Sequence, residues 1–534
     1  MSAVPNPEFV HEFVHEFVPF PRLVAEHAAV QPEAPAFQVE GRSMGWAMLH
    51  ERIQAVARAL VADGVQPGDR VAIAGAASPA YIEVFFGAIA ARACVVPLPV
   101  SATTDALASM MADSGARLLF VDPEAGTAID ELVARIAPAG AVRVIRFGPA
   151  ADDGAEYAQW RDAAHADVQL PLAQESDPFN IIYSSGTTGV PKGIVHLHGM
   201  RQRQASRKGF GFSADSRTLL STPMYSNTTI TPMLGTLANG GCCILMRKFD
   251  AGRFIELVAA QRVTQTMLVP VQYKRILAHP AFSQEALASL QVSQCTGAPM
   301  EAALKREIVE RWPGRFVEIY GLTEGGVSCF LEPRLHPDKL HTVGRPGHGT
   351  EVFLLDEEGR RIPAGHGATG EVAGRSPFMM AGYHNRPQAD AEIRWYDAEG
   401  NLYHRTGDIG RFDAEGFLTL LDRKKDVIIS GGHNIYAADL EAVLAKHADV
   451  LEAAVIGVPS AEWGETPLAL VAARPGRTLE PDALREWVNA QVGKTQRLSA
   501  VELRDELPRN ALGKLSKKEL RAPYWRAKEG TASP

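Results

Sequence analysis

Between Arg70 and Gly148 the chain keeps returning to one pattern, a short and almost wholly apolar run followed by a helical stretch. "RVAIAG" (70–75), "CVVPLPV" (94–100), "RLLFVD" (117–122) and "VRVIRFG" (142–148) are the apolar runs, and "AYIEVFFGAIAARA" (80–93) has helical spacing. A strand that is apolar on both faces must be covered on both, and helices between successive strands supply the cover. The alternation therefore predicts an α/β architecture with a largely parallel sheet. A second such stretch runs from about Asn180 to Phe330, with "NIIYSS", "CCILMRKF", "TQTMLVP" and "RFVEIYG" as its strands.

At 534 residues the chain exceeds one ordinary core, so two or three domains are expected. After about Gly344 the segments become shorter and glycine-rich ("VGRPGHGTEVFLLDEEGRRIPAGHGATGEV"), which predicts hairpins in a β-rich subdomain. The final stretch returns to a small α/β unit, in which "ADLEAVLAKHADV" and "EPDALREWVNAQVG" are helices and "LEAAVIGV" and "PLALVAAR" strands. The charged, turn-rich "LDRKKDVIISGG" before it suits a boundary.

Several function classes are disfavoured by composition. Fifty-four basic against 62 acidic residues leave a net charge of -8, which argues against a general nucleic-acid binder. No apolar run approaches the ~18 residues of a membrane span, and no basic, apolar leader is present, so integral membrane association and secretion are not expected. Cys94, Cys242, Cys243, Cys295 and Cys329 are odd in number and lack CxxC spacing. They read as free thiols in a reducing compartment, which predicts a cytoplasmic protein. The repeat "EFVHEFVHEFV" (8–18) places its Phe-Val pairs on one helical face. It is read as docking on the protein's own body, with a partner contact or a frayed end as the alternatives.

The chemistry concentrates in loops. "YSSGTTGVPKG" (183–193) packs hydroxyls, glycines and a lysine together, as a loop around phosphate would, but without P-loop spacing. By itself it is either a phosphate nest or a flexible turn. In open α/β sheets ligands sit beyond the carboxyl ends of strands, so this loop and "YGLTEGG" (320–326) are expected to face one crevice.

These loops are followed, in order, by "YHRTGDIG", "DRKKDVIISGGHNIY" and "LPRNALGK". The ordered set, spread over about Ala36 to Leu520, resembles the adenylate-forming superfamily, closest in style to aryl-CoA and acyl-CoA ligases. The resemblance implies a large N-terminal domain of two α/β subdomains plus the β-rich subdomain (1–422), followed by a small mobile α+β C-terminal domain (423–534). It also implies a two-step reaction. A carboxylate attacks the α-phosphate of ATP to give acyl-AMP and pyrophosphate, and a thiol, usually that of coenzyme A, then displaces AMP. Oxide is a poor leaving group and AMP a good one, so the protein mainly positions partners and neutralises phosphate charge.

The implied roles fall on residues whose chemistry suits them. Ser184, Ser185, Gly186, Thr187, Thr188 and Gly189 would cradle the β- and γ-phosphates, with Lys192 stabilising the departing pyrophosphate. Gly297, Ala298 and Pro299 of "TGAPM" would line the adenine pocket, with Tyr320 and Gly321 nearby. Thr323 would meet the α-phosphate and Glu324 would hold Mg²⁺, which typically takes one or two carboxylates plus phosphate oxygens. Asp408 would accept from the ribose hydroxyls, helped by Arg423. Lys514 matches the lysine that bridges carboxylate and α-phosphate during adenylation. Lys425 matches the hinge about which the C-terminal domain then turns. Gly431 and Gly432 would line the thiol tunnel, and Trp463 either contacts coenzyme A or simply packs.

Where many relatives carry Pro-x-x-His, this chain reads "TPMYSNTT", so Ser226 replaces histidine between Tyr225 and Asn227. No Asp lies between Ser221 and Gly240 to pair a substrate ammonium, which disfavours an amino acid. Met224, Met233, Ile319, Gly321 and Val327 suggest an apolar pocket for an uncharged aromatic or medium-length acyl group. The small-molecule partners expected are a carboxylic acid, ATP and coenzyme A, acting on a monomer or homodimer. The alternative acceptor is the phosphopantetheine arm of a carrier protein.

Overall fold

The computed structural model describes the chain except residues 1–15, 138–139, 149–153, 164–166, 185–190, 364, 366, 432, 510–514 and 531–534, and the side chains of 495 and 526–530. Two large sheets carry most of it. The first has seven strands, in the order Gly382–Tyr383, Lys192–Leu197, Pro178–Ser184, Cys94–Pro97, Arg70–Ala74, Leu118–Val121, Arg143–Arg146. From Pro178–Ser184 onward its strands pair in parallel, while the other edge is antiparallel. The second has nine strands, with Arg217–Leu220, Cys242–Leu245, Gln265–Leu268, Val292–Cys295 and Arg315–Gly321 pairing in parallel at its centre.

The α/β expectation holds, with one reassignment. "NIIYSS" is not the start of the second sheet. It pairs with Cys94–Pro97 and completes the first, while Pro35–Val39 near the N-terminus joins the second beside Cys242–Leu245. Apolar runs read alike whichever sheet buries them, so only pairing could decide this. Helix Pro79–Ala90 is buried on every side, as its all-round apolar sequence requires.

A five-stranded antiparallel sheet built on Glu351–Leu355, Thr369–Arg375 and Leu402–Phe412 forms the β-rich part. The strand Leu418–Arg423 closes it. Sheet membership then changes: Ile428–Ser430 belongs to a separate sheet dominated by the long hairpin Val450–Ser460 and Gly464–Ala473. That sheet has its own apolar core, including Leu440, Val455, Val471 and Leu484. All five cysteines are buried and unbridged. Among the described residues no helix is long and apolar enough to cross a membrane. Residues 8–15 of the N-terminal repeat lie outside the described residues. Its last residues rest on helix His198–Ala205: Gln202 donates to the Glu16 carbonyl at 3.0 Å, and the Phe17 ring meets His198 edge-on.

Candidate active site

The hairpin Pro178–Ser184 and Lys192–Leu197 presents the hydroxyl-rich loop at its turn. Ser185, Gly186, Thr187, Thr188 and Gly189 lie outside the described residues, and Ser184 and Lys192 flank them, each half-buried. On the outer side of this hairpin, Tyr383 pairs with Ile194 and Gly382 with Val195. That two-residue strand joins two distant loops. The Tyr383 hydroxyl donates to Glu324 Oε1 at 2.9 Å, the Met380 N–H donates to the Glu324 carbonyl at 2.9 Å, and Lys192 Nζ stands 5.2 Å from the Tyr383 ring centroid. Lys192 and Glu324, 132 positions apart by number, therefore meet around one tyrosine. Burial, then the Glu324 charge, pushes the Tyr383 phenol above its ordinary range, so it donates as a neutral hydroxyl.

Behind Thr323 lies a polar cluster. His196 Nε2 is 2.7 Å from the Thr323 carbonyl, and its Nδ1 is 3.0 Å from Arg201 Nη2. A guanidinium only donates, so Nδ1 accepts and Nε2–H donates, which fixes the tautomer. Burial, followed by Arg201, holds this imidazole well below its ordinary value and therefore neutral.

Tyr320, at the end of strand Arg315–Gly321, donates to Asp408 Oδ2 at 2.6 Å, and Arg423 Nε lies 2.6 Å from Asp408 Oδ1. Asp408 and Arg423 are register partners on adjacent strands. The carboxylate assigned to ribose thus already holds two protein donors, and a nucleotide would share it with them. Gly297 has φ +90°, and a Cβ there would stand 3.4 Å from Val269 and 3.7 Å from Thr228, so "TGAPM" turns back onto the helix Asn227–Ala238. Ala298 is half-buried and Pro299 exposed.

The residues expected at the acyl group divide. Ser226 caps the helix Asn227–Ala238, its hydroxyl accepting from the Thr228 N–H at 3.2 Å. Serine is among the residues that cap a helix well. Tyr225 pairs its hydroxyl with Ser101 at 3.2 Å, and Asn227 Oδ1 accepts from Arg201 at 2.7 Å. Ile319 is half-buried beside Phe210 and Phe330, and Gly321 is exposed. Val327 is buried in the β-rich core with Val352, Leu354, Val372 and Leu418. Met224 and Met233 likewise belong to the main core.

At the C-terminal side, Gly431 donates its N–H to the Trp463 carbonyl at 2.9 Å. A Cβ on Gly431 would come within 2.8 Å of the indole, and φ is +56°. The two residues expected near a thiol are thus neighbours, with Trp463 half exposed. Lys425 lies at the crossing between sheets, where burial lowers its ammonium. Lys514 and Gly432 lie outside the described residues. Three positions beyond Lys514, Lys517 lies 3.0 Å from Glu441 and 3.7 Å from Asp422, tying the start of the last helix to the seam.

Tyr383, His196 and Arg201 are absent from the sequence reading. The signal for His196 was present: it shares a strand face with buried Ile194, and a polar side chain on an apolar face asks for a partner. Nothing local marks Tyr383, because its partner lies 59 positions away.

Two α/β sheets, a β-rich part and a C-terminal sheet with its own core, with Lys192 and Glu324 meeting around Tyr383, make up the fold of an adenylate-forming enzyme. The chain belongs to the AMP-binding enzyme family, matching it over residues 24–384 and matching the family's C-terminal domain over 439–514. It is 34% identical over 502 residues to a feruloyl-CoA synthase of an Amycolatopsis species, covering 93% of this chain and 97% of that protein. It is 32% identical to the fatty acid–[acyl-carrier-protein] ligase ScoC of Streptomyces coeruleorubidus, covering 93% and 95%. The ATP-bound crystal structure of MatB from Rhodopseudomonas palustris superposes with a TM-score of 0.85 at 27% identity, covering 94% of this chain and 99% of that one. The chain is an AMP-forming acyl-CoA synthetase, converting a carboxylate and ATP to acyl-AMP and then to a coenzyme A thioester.

Proposed function

We propose that the acid activated here is hydrophobic, aromatic or of medium chain length, and that the residues above divide the two half-reactions between them. The meeting of Lys192 with Glu324 through Tyr383 is the observation that carries the assignment of the phosphate site. Lys192 and the loop 184–189 hold the β- and γ-phosphates, Thr323 meets the α-phosphate, and Tyr320, Gly321 and the 297–299 turn border the adenine. Asp408 and Arg423 hold the ribose. Among the described residues no group of three or more metal-binding side chains occurs, so those residues offer no protein cage. A single carboxylate, with Glu324 Oε1 bonded to Tyr383, fits Mg²⁺ arriving on the nucleotide. Bound there, Mg²⁺ would supply charge neutralisation on the phosphates.

Lys514 bridges the acyl carboxylate and α-phosphate in the first step. The C-terminal unit (423–534) then turns about Lys425 and brings Gly431, Gly432 and Trp463 to the thiol. Coenzyme A is the acceptor. The relationship to ScoC supports a second reading, loading of a carrier protein's phosphopantetheine arm. The test is pyrophosphate release with ferulate, indole-3-acetate and octanoate, each with and without coenzyme A. Turnover requiring coenzyme A supports the first reading, and turnover only with a carrier protein supports the second. No pyrophosphate from any of the acids refutes the assigned substrate class. Lys514→Ala is expected to cripple pyrophosphate release while sparing thioester formation from supplied acyl-AMP. Equal loss of both halves would remove Lys514 from this role.

A further inference from the structure

Lys424 is still tied to the large part of the molecule: its N–H donates to the Gly407 carbonyl at 2.7 Å and its ammonium lies 2.9 Å from Glu371. One residue on, the Lys425 carbonyl accepts from Arg521 of the last helix at 3.3 Å. The chain therefore passes from the body to the C-terminal unit between these two residues. Asp422 stands on the body side, in strand Leu418–Arg423 opposite Ile409. Its carboxylate nevertheless reaches into the other part. Oδ2 accepts from the N–H of Ala437, the first residue of helix Ala437–Leu444, at 3.0 Å. Oδ1 lies 3.7 Å from Lys517 Nζ and accepts from the Arg423 N–H at 2.8 Å. Lys517 is closer to Glu441 of that helix, at 3.0 Å.

The charges at this joint do not balance. One ammonium serves two carboxylates, and the side chains of Lys517, Asp422 and Glu441 are only 18%, 5% and 25% exposed. An ionised carboxylate taken out of water is costly unless it is fully paired. Burial, the largest influence on each, pushes the Asp422 and Glu441 carboxyls above their ordinary range in spite of Lys517. The three groups differ in what a turn of the C-terminal unit would do to them. Lys517 and Glu441 lie on the same unit and would travel together, so their pair survives. Asp422 would stay behind and return to water. The Ala437 N–H it leaves is in a helix's first turn, where water can take it up. In the other direction, Asn434 donates to Glu357 at 3.2 Å and holds the unit seated on the body. We propose that Asp422 is a release device for the C-terminal unit: seated as in this structure, the unit buries a carboxylate that has no ammonium of its own, and the cost of that burial keeps the seated orientation from outlasting its half-reaction. This rests on the turn about Lys425 in the reading above.

Spin labels on Glu358→Cys and Lys446→Cys, one exposed residue on each part, report the orientation as pulsed EPR distances, and the native cysteines are buried away from the label. Distances are collected for the free enzyme, with the α,β-methylene analogue of ATP, and with coenzyme A. Where the parent populates both a seated and a turned distance, Asp422→Asn is the variant to compare, because it is neutral but still accepts from Ala437. It should raise the seated-to-turned ratio at least about fivefold. In the unlabelled enzyme it should slow pyrophosphate release and thioester formation from supplied acyl-AMP unequally, because each half uses one orientation. A ratio within about twofold of the parent's, or a lower one, overturns the proposal, and so does an equal change in both halves. If Asp422→Asn does not fold, Asp422→Ser, also neutral and an acceptor, decides in its place. A parent showing one distance under every condition sinks the turning reading and this inference with it. Two distances with an unmoved ratio sink this inference alone.

Discussion

Tyr383→Phe removes one oxygen from the place where the two phosphate-facing loops meet. The ring remains, and with it the packing against Ile194, Met380 and Ala389 and the Lys192 ammonium over its face. What disappears is the 2.9 Å hydrogen bond to the Glu324 carboxylate. A hydrogen bond to a charged group contributes a net ~1.5–3 kcal/mol, which corresponds to about 10- to 150-fold in a rate or binding constant. The full effect is expected only if Glu324 must be held still for adenylation, because a carboxylate free to rotate loses its alignment with the nucleotide. The assay is acid-dependent ATP–pyrophosphate exchange, run over a range of ATP and Mg²⁺ concentrations. We expect kcat/KM for ATP to fall at least about tenfold, with the thermal midpoint close to the parent's. A fall in kcat alone would mean that the bond matters chiefly in the transition state, and a rise in KM alone that it matters in nucleotide binding. Exchange kinetics within about twofold of the parent would refute the claim that Tyr383 aligns Glu324.

Other consequences reach beyond the phosphate site. Burial, its largest influence, lowers the His198 imidazole from 6.5 to about 4, and its Nε2 has no hydrogen-bond partner among the described residues. The unfolded chain therefore takes up that proton first, so the stability contributed by neutral His198 is complete above pH 6.5 and is lost as pH falls toward 4, by up to about 3 kcal/mol. His198→Phe, edge-on to Phe179, should show a smaller drop in urea midpoint between pH 6.5 and 4.5 than the parent, and an equal drop would contradict this. Lys305 is buried against Glu318 and donates to the Thr342 carbonyl at 2.8 Å, so Lys305→Met strands a buried carboxylate and should cost ~3–5 kcal/mol in urea unfolding. Adding Glu318→Leu should recover most of that loss, whereas no recovery would mean that packing and not charge was responsible. Gly431→Val combines a left-handed φ with a collision against Trp463, and we expect thioester formation to slow at least about fivefold more than pyrophosphate release. Equal slowing of both halves would detach this turn from the thiol step.

The family and its reaction class were legible in the sequence because the motifs that carry them, from "YSSGTTGVPKG" to "LPRNALGK", are contiguous stretches. The strands and helices were legible for a similar reason, since apolar runs and helical spacing are local properties of the chain. What local pattern could not supply was partnership. Whether "NIIYSS" joined the first sheet or the second depended on which strand edge it met. That Val327 packs with Val352, Leu354, Val372 and Leu418 could not be read locally, because burial is a property of the surroundings and not of the residue. Ser226 reads as a missing histidine and proves to be a helix cap. The Tyr383–Glu324 and Arg201–Asn227–His196 contacts join residues far apart or of unremarkable type, and hydrogen bonds of that kind exist only once two sheets and a helix have closed on one another. The sequence by itself determined the secondary elements, the reaction class and the polar groups on offer. Tertiary structure decided which of those groups face one another, because direction and distance are set by packing.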